Sequence, residues 1–581
     1  MKGFDGTLLL TSLADNGTGK FLRDACAAFL ILMPPFLLCW HSITGDGCIY
    51  FTFIKNFFAV PFSYQPNTVS FGATSPLHVV IHGIVYQLFG ESHWLQASKV
   101  VNYLLIVGGV VFLQRSINTN MRTLLIVAVV TTLNVELFNS SAALYETSLA
   151  FFAMSLLYYL LKNQSFEQAV LLSGALYLVR PELVLITVIV DTYVLVTYST
   201  RKTLSHIVRL ISLSMVPVIV YHAYLFIYTQ ELLPSSIYGK QIRAAEEGLS
   251  WMERIMDSIK ALGGKDRLTY FGTMTKEIIY FLGILTVGVI AFQKRLGDHK
   301  EELMLLIPIV VFYTALPPPH GEITRYLLSA TPAMIAIIAV TVLRYLTKFQ
   351  ALCASTGLGL KSFFANLAYV SLIPLTLAIT SPAYVYKYSH PRYDYDTMLQ
   401  LDLAEKLNAI TDEKDKILIY EIQGQYYLRA ACYSLDGLVG GQLRDVLMGM
   451  ESFENYISRN NIKFIVTMNG LDYRKVFKNT LLVDLYVHDL SSDVGDSVRI
   501  RGITFKKVFT NQVFSNPRLF KPKKHPYLNV GKFLRVYGDW NGLWEGYHPV
   551  WNSVYAVTKK PLVPVRRQGV NSDEFMESPF M

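Results

Sequence analysis

The chain has 581 residues, 52% of them hydrophobic and only 16% charged, with a mean hydropathy of +0.34. Soluble globular proteins carry about 25% charged residues, so this composition excludes an ordinary soluble enzyme, a disordered chain and a fibrous repeat, and points to a protein dissolved mostly in lipid. Lys and Arg outnumber Asp and Glu by 52 to 43, a formal charge of +9, but cytoplasmic flanks of membrane segments collect such cations for topological reasons, so no nucleic-acid partner is implied.

A mostly polar stretch precedes the first apolar run, 25–43, which reads as a retained anchor and not as a cleaved signal. Further runs suited to crossing a bilayer lie at 94–114, 123–140, 147–162, 167–179, 183–199, 205–228, 277–293, 303–317, 326–346 and 363–381. A crossing helix needs about 20 apolar residues, so 147–162, 167–179 and 303–317 are short. The segment 75–90 is apolar but brief. It opens on Ser75-Pro76, carries His78 and His82, and reads as an interfacial or partly inserted helix.

Charge tests this division. With the N-terminus inside, Lys20, Arg23, Arg115, Arg122, Lys162, Arg201, Lys202, Lys294, Arg295, Lys300, Arg344, Lys348 and Lys361 all fall on the cytoplasmic side, as the positive-inside rule demands. Counting 75–90 as a full span would put Arg115 and Arg122 outside. The outer side then receives the loop 44–74, the turn 145–147, the loop 229–276 and everything after about 385. That last part has strand-like runs at 416–422 and 462–467 and a helix-like segment at 396–410, and its size suits one soluble domain. The predicted architecture is therefore a polytopic α-helical membrane protein of eleven spans over residues 1–384, with an extracytoplasmic α/β domain over 385–581.

The five cysteines form no CxxC pair, so no structural zinc is expected. Cys26, Cys39 and Cys353 read as small core hydrophobes; Cys48 and Cys432 lie outside apolar runs and are either free or paired.

Asp46 follows the first span among glycines, in Gly45-Asp46-Gly47-Cys48-Ile49-Tyr50. A carboxylate where a helix leaves the membrane suits a general base or a metal ligand at the lipid surface; a solvated turn residue is the plain alternative. Lys55-Asn56 and Thr74-Ser75-Pro76-Leu77 follow in the same loop, then Tyr145-Glu146-Thr147, Arg180-Pro181-Glu182, Glu231-Leu-Leu-Pro234-Ser-Ser-Ile-Tyr238-Gly-Lys240, Arg325-Tyr326-Leu327-Leu328 with Pro332, and Asp436-Gly437-Leu438-Val439. In this order the segments resemble the arabinofuranosyltransferase-like branch of the GT-C superfamily of membrane glycosyltransferases. That branch reads D-D-A-Y-I, R-Y-A-x-N, Y-T-S-P-L-W, G-x-E-T, R-P-E, G-D-L-L-P-N-T-Y-Y-A-K, R-Y-L-L-P and D-x-x-G-L-V. The likeness covers about residues 25–440. Gly45 stands where the family has the first Asp of a pair, Glu231 replaces Asp, and Ser replaces Asn after Pro234.

The resemblance implies a GT-C-like fold in a bacterial inner membrane, with the site on the outer face. It implies transfer of a sugar, D-arabinofuranose by the family pattern, from a polyprenyl monophosphate donor to an acceptor hydroxyl. The acceptor would be a cell-surface glycan or a protein such as type IV pilin, since the family holds both mycobacterial cell-wall arabinan enzymes and pilin-arabinosylating ones. Asp46 and Glu146 would be the catalytic carboxylates. Lys55, Asn56, Thr74, Ser75, Arg180, Glu182, Glu231, Tyr238, Lys240 and Arg325 would bind the donor and its phosphate, because cations stabilise a phosphate leaving group. No cofactor is required, although a divalent cation would suit the carboxylates. A pair Arg180–Glu182 holding open the break made by Pro181 is the structural alternative for Arg180.

Lys99, Glu136, Asp191 and His222 fall inside spans, where charge is costly and marks function by default, but they follow no regular spacing and read as structural. Trp540, Trp544 and Trp551, with Tyr547, are assigned to acceptor or sugar contact through ring stacking, against a local core or interface role. Two other classes stay open on the residues alone: a transporter or flippase for lipid-linked sugars, and a non-catalytic surface-assembly protein.

Overall fold

In a computed structural model, the described residues are 17–40, 45–65, 68–70, 72–198, 204–230, 252–253, 256, 282–283, 285–291, 293, 295–315, 327–355, 403–419, 428–434, 446, 451–468, 497–512 and 551–558. The membrane part runs α1 (Gly17–Leu38), α2 (Gly45–Asn56), β1 (Ser63–Gln65), β2 (Thr68–Val69), α3 (Pro76–Ile117), α4 (Met121–Thr132), α5 (Val135–Ala142), α6 (Thr147–Lys162), α7 (Phe166–Val179), a 3-10 turn at Pro181–Leu183, α8 (Val184–Tyr198), α9 (Leu204–Thr229), a second such turn at Leu296–His299, α10 (Lys300–Ala315), a third at Leu327–Ala330, and α11 (Thr331–Ser355).

These helices are apolar nearly all round, so one side packs on neighbours while the other keeps large hydrophobics such as Leu30, Val188, Ile219 and Ile227 exposed, as a lipid solvent permits. Helix α6 is the hub, lying against α3 and α7 with most of its length buried. Gly109 of α3 lets Phe151 of α6 approach until an added Cβ would meet the ring at 2.6 Å. Small residues at such crossings are how membrane helices gain contact area when lipid is as apolar as the side chains.

Among the described residues four helices are long and apolar enough to cross a membrane: Thr18–Leu38, Pro76–Ile117, Ser205–Thr229 and Leu327–Lys348. The bent pair α4–α5 makes a fifth if counted as one span. This differs from the eleven expected. The run 363–381 and part of 277–293 lie outside the described residues, and α6 and α7 are apolar but only 16 and 14 residues long. The run 123–140, read as one span, is bent by 73° between Thr132 and Val135. Asn134 makes the break: its carboxamide accepts from the Leu137 amide at 3.0 Å, capping α5, and donates to Thr331 Oγ1 at 3.1 Å, anchoring the corner to α11. The segment 75–90 joins the next run in one 42-residue helix, and Gly90, at φ 68° and ψ 174°, kinks it where a side chain would be strained. The loop 44–74 is largely ordered as α2 and the β1–β2 hairpin. Tyr50, Phe51, Phe53 and Ile54 of α2 pack with Phe62, Tyr64 and Trp94.

In the C-terminal part, a helix at 403–410 (α12) precedes β3 (Lys416–Ile419) and β4 (Ala431–Ser434). Helix α13 (Phe453–Asn460), β5 (Phe464–Met468), β6 (Ser497–Ile500), β7 (Ile503–Gln512) and β8 (Trp551–Thr558) follow. The six strands form one sheet in the order β4-β3-β5-β8-β7-β6, with β3 parallel to β4 and β5 and the remaining pairs antiparallel. Alternation sends Ile417, Ile419, Phe464 and Val466 to a core with Leu403 and Leu407 of α12, and Leu418 and Ile465 to a core with Phe453, Tyr456 and Ile457 of α13. A helix thus packs on each face.

Candidate functional site

Segments separated widely in sequence meet in one buried polar cluster. Helix α7 stops at Arg180, whose backbone is extended (φ −156°, ψ 130°) because Pro181 cannot supply the next helical amide. The extension turns the Arg180 side chain inward. Its Nε lies 2.7 Å from Glu182 Oε1 and 3.4 Å from Glu146 Oε1, and Nη1 lies 3.4 Å from Ser329 Oγ. Glu146 is the N-cap residue of α6 and makes no cap bond. Tyr313 of α10 donates to Glu182 Oε1. Two carboxylates therefore share one guanidinium in a place almost closed to solvent, and Glu146 Oε2 has no hydrogen-bond partner among the described residues.

Tyr50 closes the cluster from α2. Its hydroxyl lies 2.8 Å from Thr74 Oγ1 and faces the Glu146 carboxylate. Burial first, and the Glu146 charge second, push the Tyr50 phenol well above its usual range, so it stays a neutral donor. A carboxylate only accepts, so the phenol proton points to Glu146 and Thr74 is the donor to Tyr50. Chemically, the cluster is a carboxylate held in place by a cation and a neutral hydroxyl.

The other expected site residues lie as follows. Asp46 is the second residue of α2, four positions before Tyr50; its side chain lies outside what is described. Ser75 opens α3, its hydroxyl buried and without a hydrogen-bond partner among the described residues. Asn56 donates to the carbonyls of Ser63 and Tyr64 at 3.2 and 3.3 Å, which ties the end of α2 to β1. Lys55 pairs with Glu91 at 3.3 Å on the surface, apart from the buried cluster. Glu231, Tyr238, Lys240, Arg325, Trp540 and Trp544 lie outside the described residues, and Trp551 opens β8 opposite Gln512.

The intramembrane groups make helix-to-helix or local ties. Lys99 donates to the Trp40 carbonyl, Ser173 donates to Asp191 at 3.1 Å, His222 shares a 2.7 Å hydrogen bond with Tyr177, and Ser140 donates to Glu136 at 3.0 Å. Cys39, Cys48 and Cys432 are buried thiols, whereas Cys26, expected in the core, is exposed on the side of α1. Among the described residues no group of three or more His, Cys, Asp or Glu is arranged to hold a metal ion.

Sequence reasoning missed Tyr50, Tyr313 and Ser329. Tyr50 carried one signal, its place a helical turn after Asp46. Tyr313 sits in an apolar run and carried none.

No family model matches the chain, and no curated protein matches it. Among solved structures it is similar to ArnT from Cupriavidus metallidurans in the apo state, at 14% identity over 77% of this chain and 93% of that one, with a TM-score of 0.48. The same protein bound to undecaprenyl phosphate gives 13% identity over 73% and 87%, with a TM-score of 0.45. The Archaeoglobus fulgidus oligosaccharyltransferase in complex with zinc and sulfate gives 14% identity over 76% and 67%, with a TM-score of 0.40. In its motifs the chain resembles the GT-C superfamily of membrane glycosyltransferases.

Proposed function

We propose that this protein is a GT-C-like glycosyltransferase that takes a sugar from a polyprenyl monophosphate donor at the outer face of the membrane. The observation that carries the reading is the convergence of Thr74, Glu146 and the Arg180–Glu182 pair, quoted from three separate family-like motifs, on one buried cluster. Residues that merely shared a composition would have no reason to meet there.

In this reading Asp46 takes the proton from an acceptor hydroxyl as its oxygen bonds to the anomeric carbon. The bond from that carbon to the phosphate oxygen breaks, and the polyprenyl phosphate leaves with the electron pair. Glu146 orients the reacting sugar through its carboxylate. Arg180, committed to two carboxylates, holds Glu146 in place, so Lys240 and Arg325 are the cations assigned to the departing phosphate. D-arabinofuranose is the assigned sugar, and the acceptor is a surface glycan or a pilin-like protein, both on the family-like motifs alone.

The test uses the full chain in nanodiscs with radiolabelled polyprenyl-phosphate sugars, D-arabinofuranose first, and with isolated membranes or pilin as acceptor. Asp46→Asn is expected to abolish transfer, and Glu146→Gln to reduce it by about a hundredfold or more. Transfer unchanged in Asp46→Asn removes Asp46 from the mechanism, and no transfer from any donor by the folded wild type overturns the reading. Mass spectrometry of surface glycans and pilin from a deletion strain identifies sugar and acceptor together.

A further inference from the structure

The turn that carries Glu146 is built in an unfavourable way. Helix α5 ends in a double hydrogen bond, Tyr145 N to Ser140 O at 2.9 Å and Leu144 N to Ser141 O at 3.2 Å. This is the Schellman arrangement, which needs a left-handed residue just past the cap and is normally closed by glycine. Here that residue is Leu144, at φ 60°, a conformation in which its Cβ crowds the backbone. Such a residue persists only where its surroundings hold it, and such places cluster at functional sites. Glu146 follows two positions later.

Helix α3 supplies the hold. His78 Nε2 lies 3.1 Å from the Leu144 carbonyl, and Asn102 Nδ2 donates to the Ser141 carbonyl at 2.9 Å. His82 Nε2 lies 3.1 Å from Asn102 Oδ1. All three side chains are fully buried. A carbonyl only accepts, so His78 carries its proton on Nε2; Asn102 uses its amino group on Ser141, so its oxygen accepts from His82 Nε2. Both imidazoles are thereby fixed in one tautomer, and their Nδ1 atoms have no partner among the described residues. The His78 ring also stacks edge-on against Tyr50, 4.9 Å between centroids, and Tyr50 faces Glu146. One helix thus grips two carbonyls of the turn and braces the hydroxyl beside its carboxylate.

We propose that His78 is a positioning residue: by donating to the Leu144 carbonyl it holds the strained turn that presents Glu146 to Arg180 and to substrate. The inference rests on the role assigned to Glu146 under the proposed function, and its test separates the two. In glutamine the amide nitrogen sits near the place of Nε2, while in asparagine it sits near the place of Nδ1. His78→Gln therefore keeps the donor, and His78→Asn and His78→Leu lose it. In the transfer assay, kcat is expected to fall about a hundredfold in His78→Asn and His78→Leu, the cost typical of a small misplacement, with the donor KM unchanged. His78→Gln is expected to recover most of the loss, although Gln and Asn variants unfold at similar temperatures. Hydrogen exchange over residues 140–150, which needs no substrate, is expected to quicken in the Asn and Leu variants and not in Gln. Gln as damaged as Asn would reduce His78 to packing and overturn the proposal. So would wild-type kcat and exchange in His78→Leu while Glu146→Gln is inactive. Full activity in Glu146→Gln would instead overturn the reading of the site, and exchange would still decide whether His78 holds the turn.

Discussion

Arg180 balances the charge of the buried cluster, and it does so for two carboxylates at once. Taking away one partner of a buried pair costs about 3–5 kcal/mol, because the remaining charge stays desolvated. Arg180→Ala leaves both Glu146 and Glu182 in that state, so it should be the most damaging change in the cluster. Arg180→Lys keeps the charge but loses the planar fork that reaches two carboxylates and Ser329, and should fall between. Glu182→Gln leaves one carboxylate to one guanidinium and should cost least. Thermal unfolding in nanodiscs measures the order, and Glu182→Gln as damaging as Arg180→Ala would refute the shared-guanidinium account. The sequence made Arg180 and Glu182 legible, because Pro181 forces a break and the two charges flank it. It did not show Glu146 reaching the same guanidinium, because that contact joins the start of α6 to the end of α7, and no local pattern encodes which helices become neighbours.

Among the elements, the crossing of α7 with α9 depends on a single small residue. A Cβ on Gly174 would run into the backbone carbonyl of Ser214, which has no rotamer in which to give way. Gly174→Ala should therefore push α9 off α7 and cost about 1–3 kcal/mol as overpacking. Gly288, on a helical stretch with nothing within 4 Å of the added atom, is the matched control, since there alanine only gains helix propensity. Unfolding midpoints of the two variants that coincide would show that the crossing is not set by Gly174. Hydropathy made the helices of this region readable but not their breaks. The run around residue 133 is apolar on both sides, and it bends because Asn134 can cap α5 and also bond Thr331, a partner on another helix. The strands at 416–419 and 464–468 were legible as short apolar runs rich in β-branched residues, the pattern of strands buried on both faces.

On the scale of the whole molecule, α6 links the two ends of the membrane part. It begins beside Glu146 and ends at Lys162, which bridges Glu301 and Glu302 at 3.1 and 3.2 Å. Arg115 near Asp24 and Arg344 near Asp298 mark basic flanks of the kind that stay in the cytoplasm. Sixteen residues of helix rise about 24 Å, less than the hydrocarbon layer of about 30 Å. If Lys162 sits at the cytoplasmic boundary, Glu146 lies a few ångströms below the outer one. Under the proposed function, a buried carboxylate at that depth would meet a lipid-borne sugar phosphate from within the bilayer. The orientation is open to direct measurement. In a chain whose native cysteines are replaced, Phe58→Cys, on the exposed turn after α2, should react with a membrane-impermeant maleimide applied to intact spheroplasts. Asn163→Cys, on the exposed turn after α6, should react only after the membrane is permeabilised. The reverse pattern would place the cluster on the cytoplasmic side, where soluble nucleotide sugars abound and a lipid-phosphate donor would no longer be required.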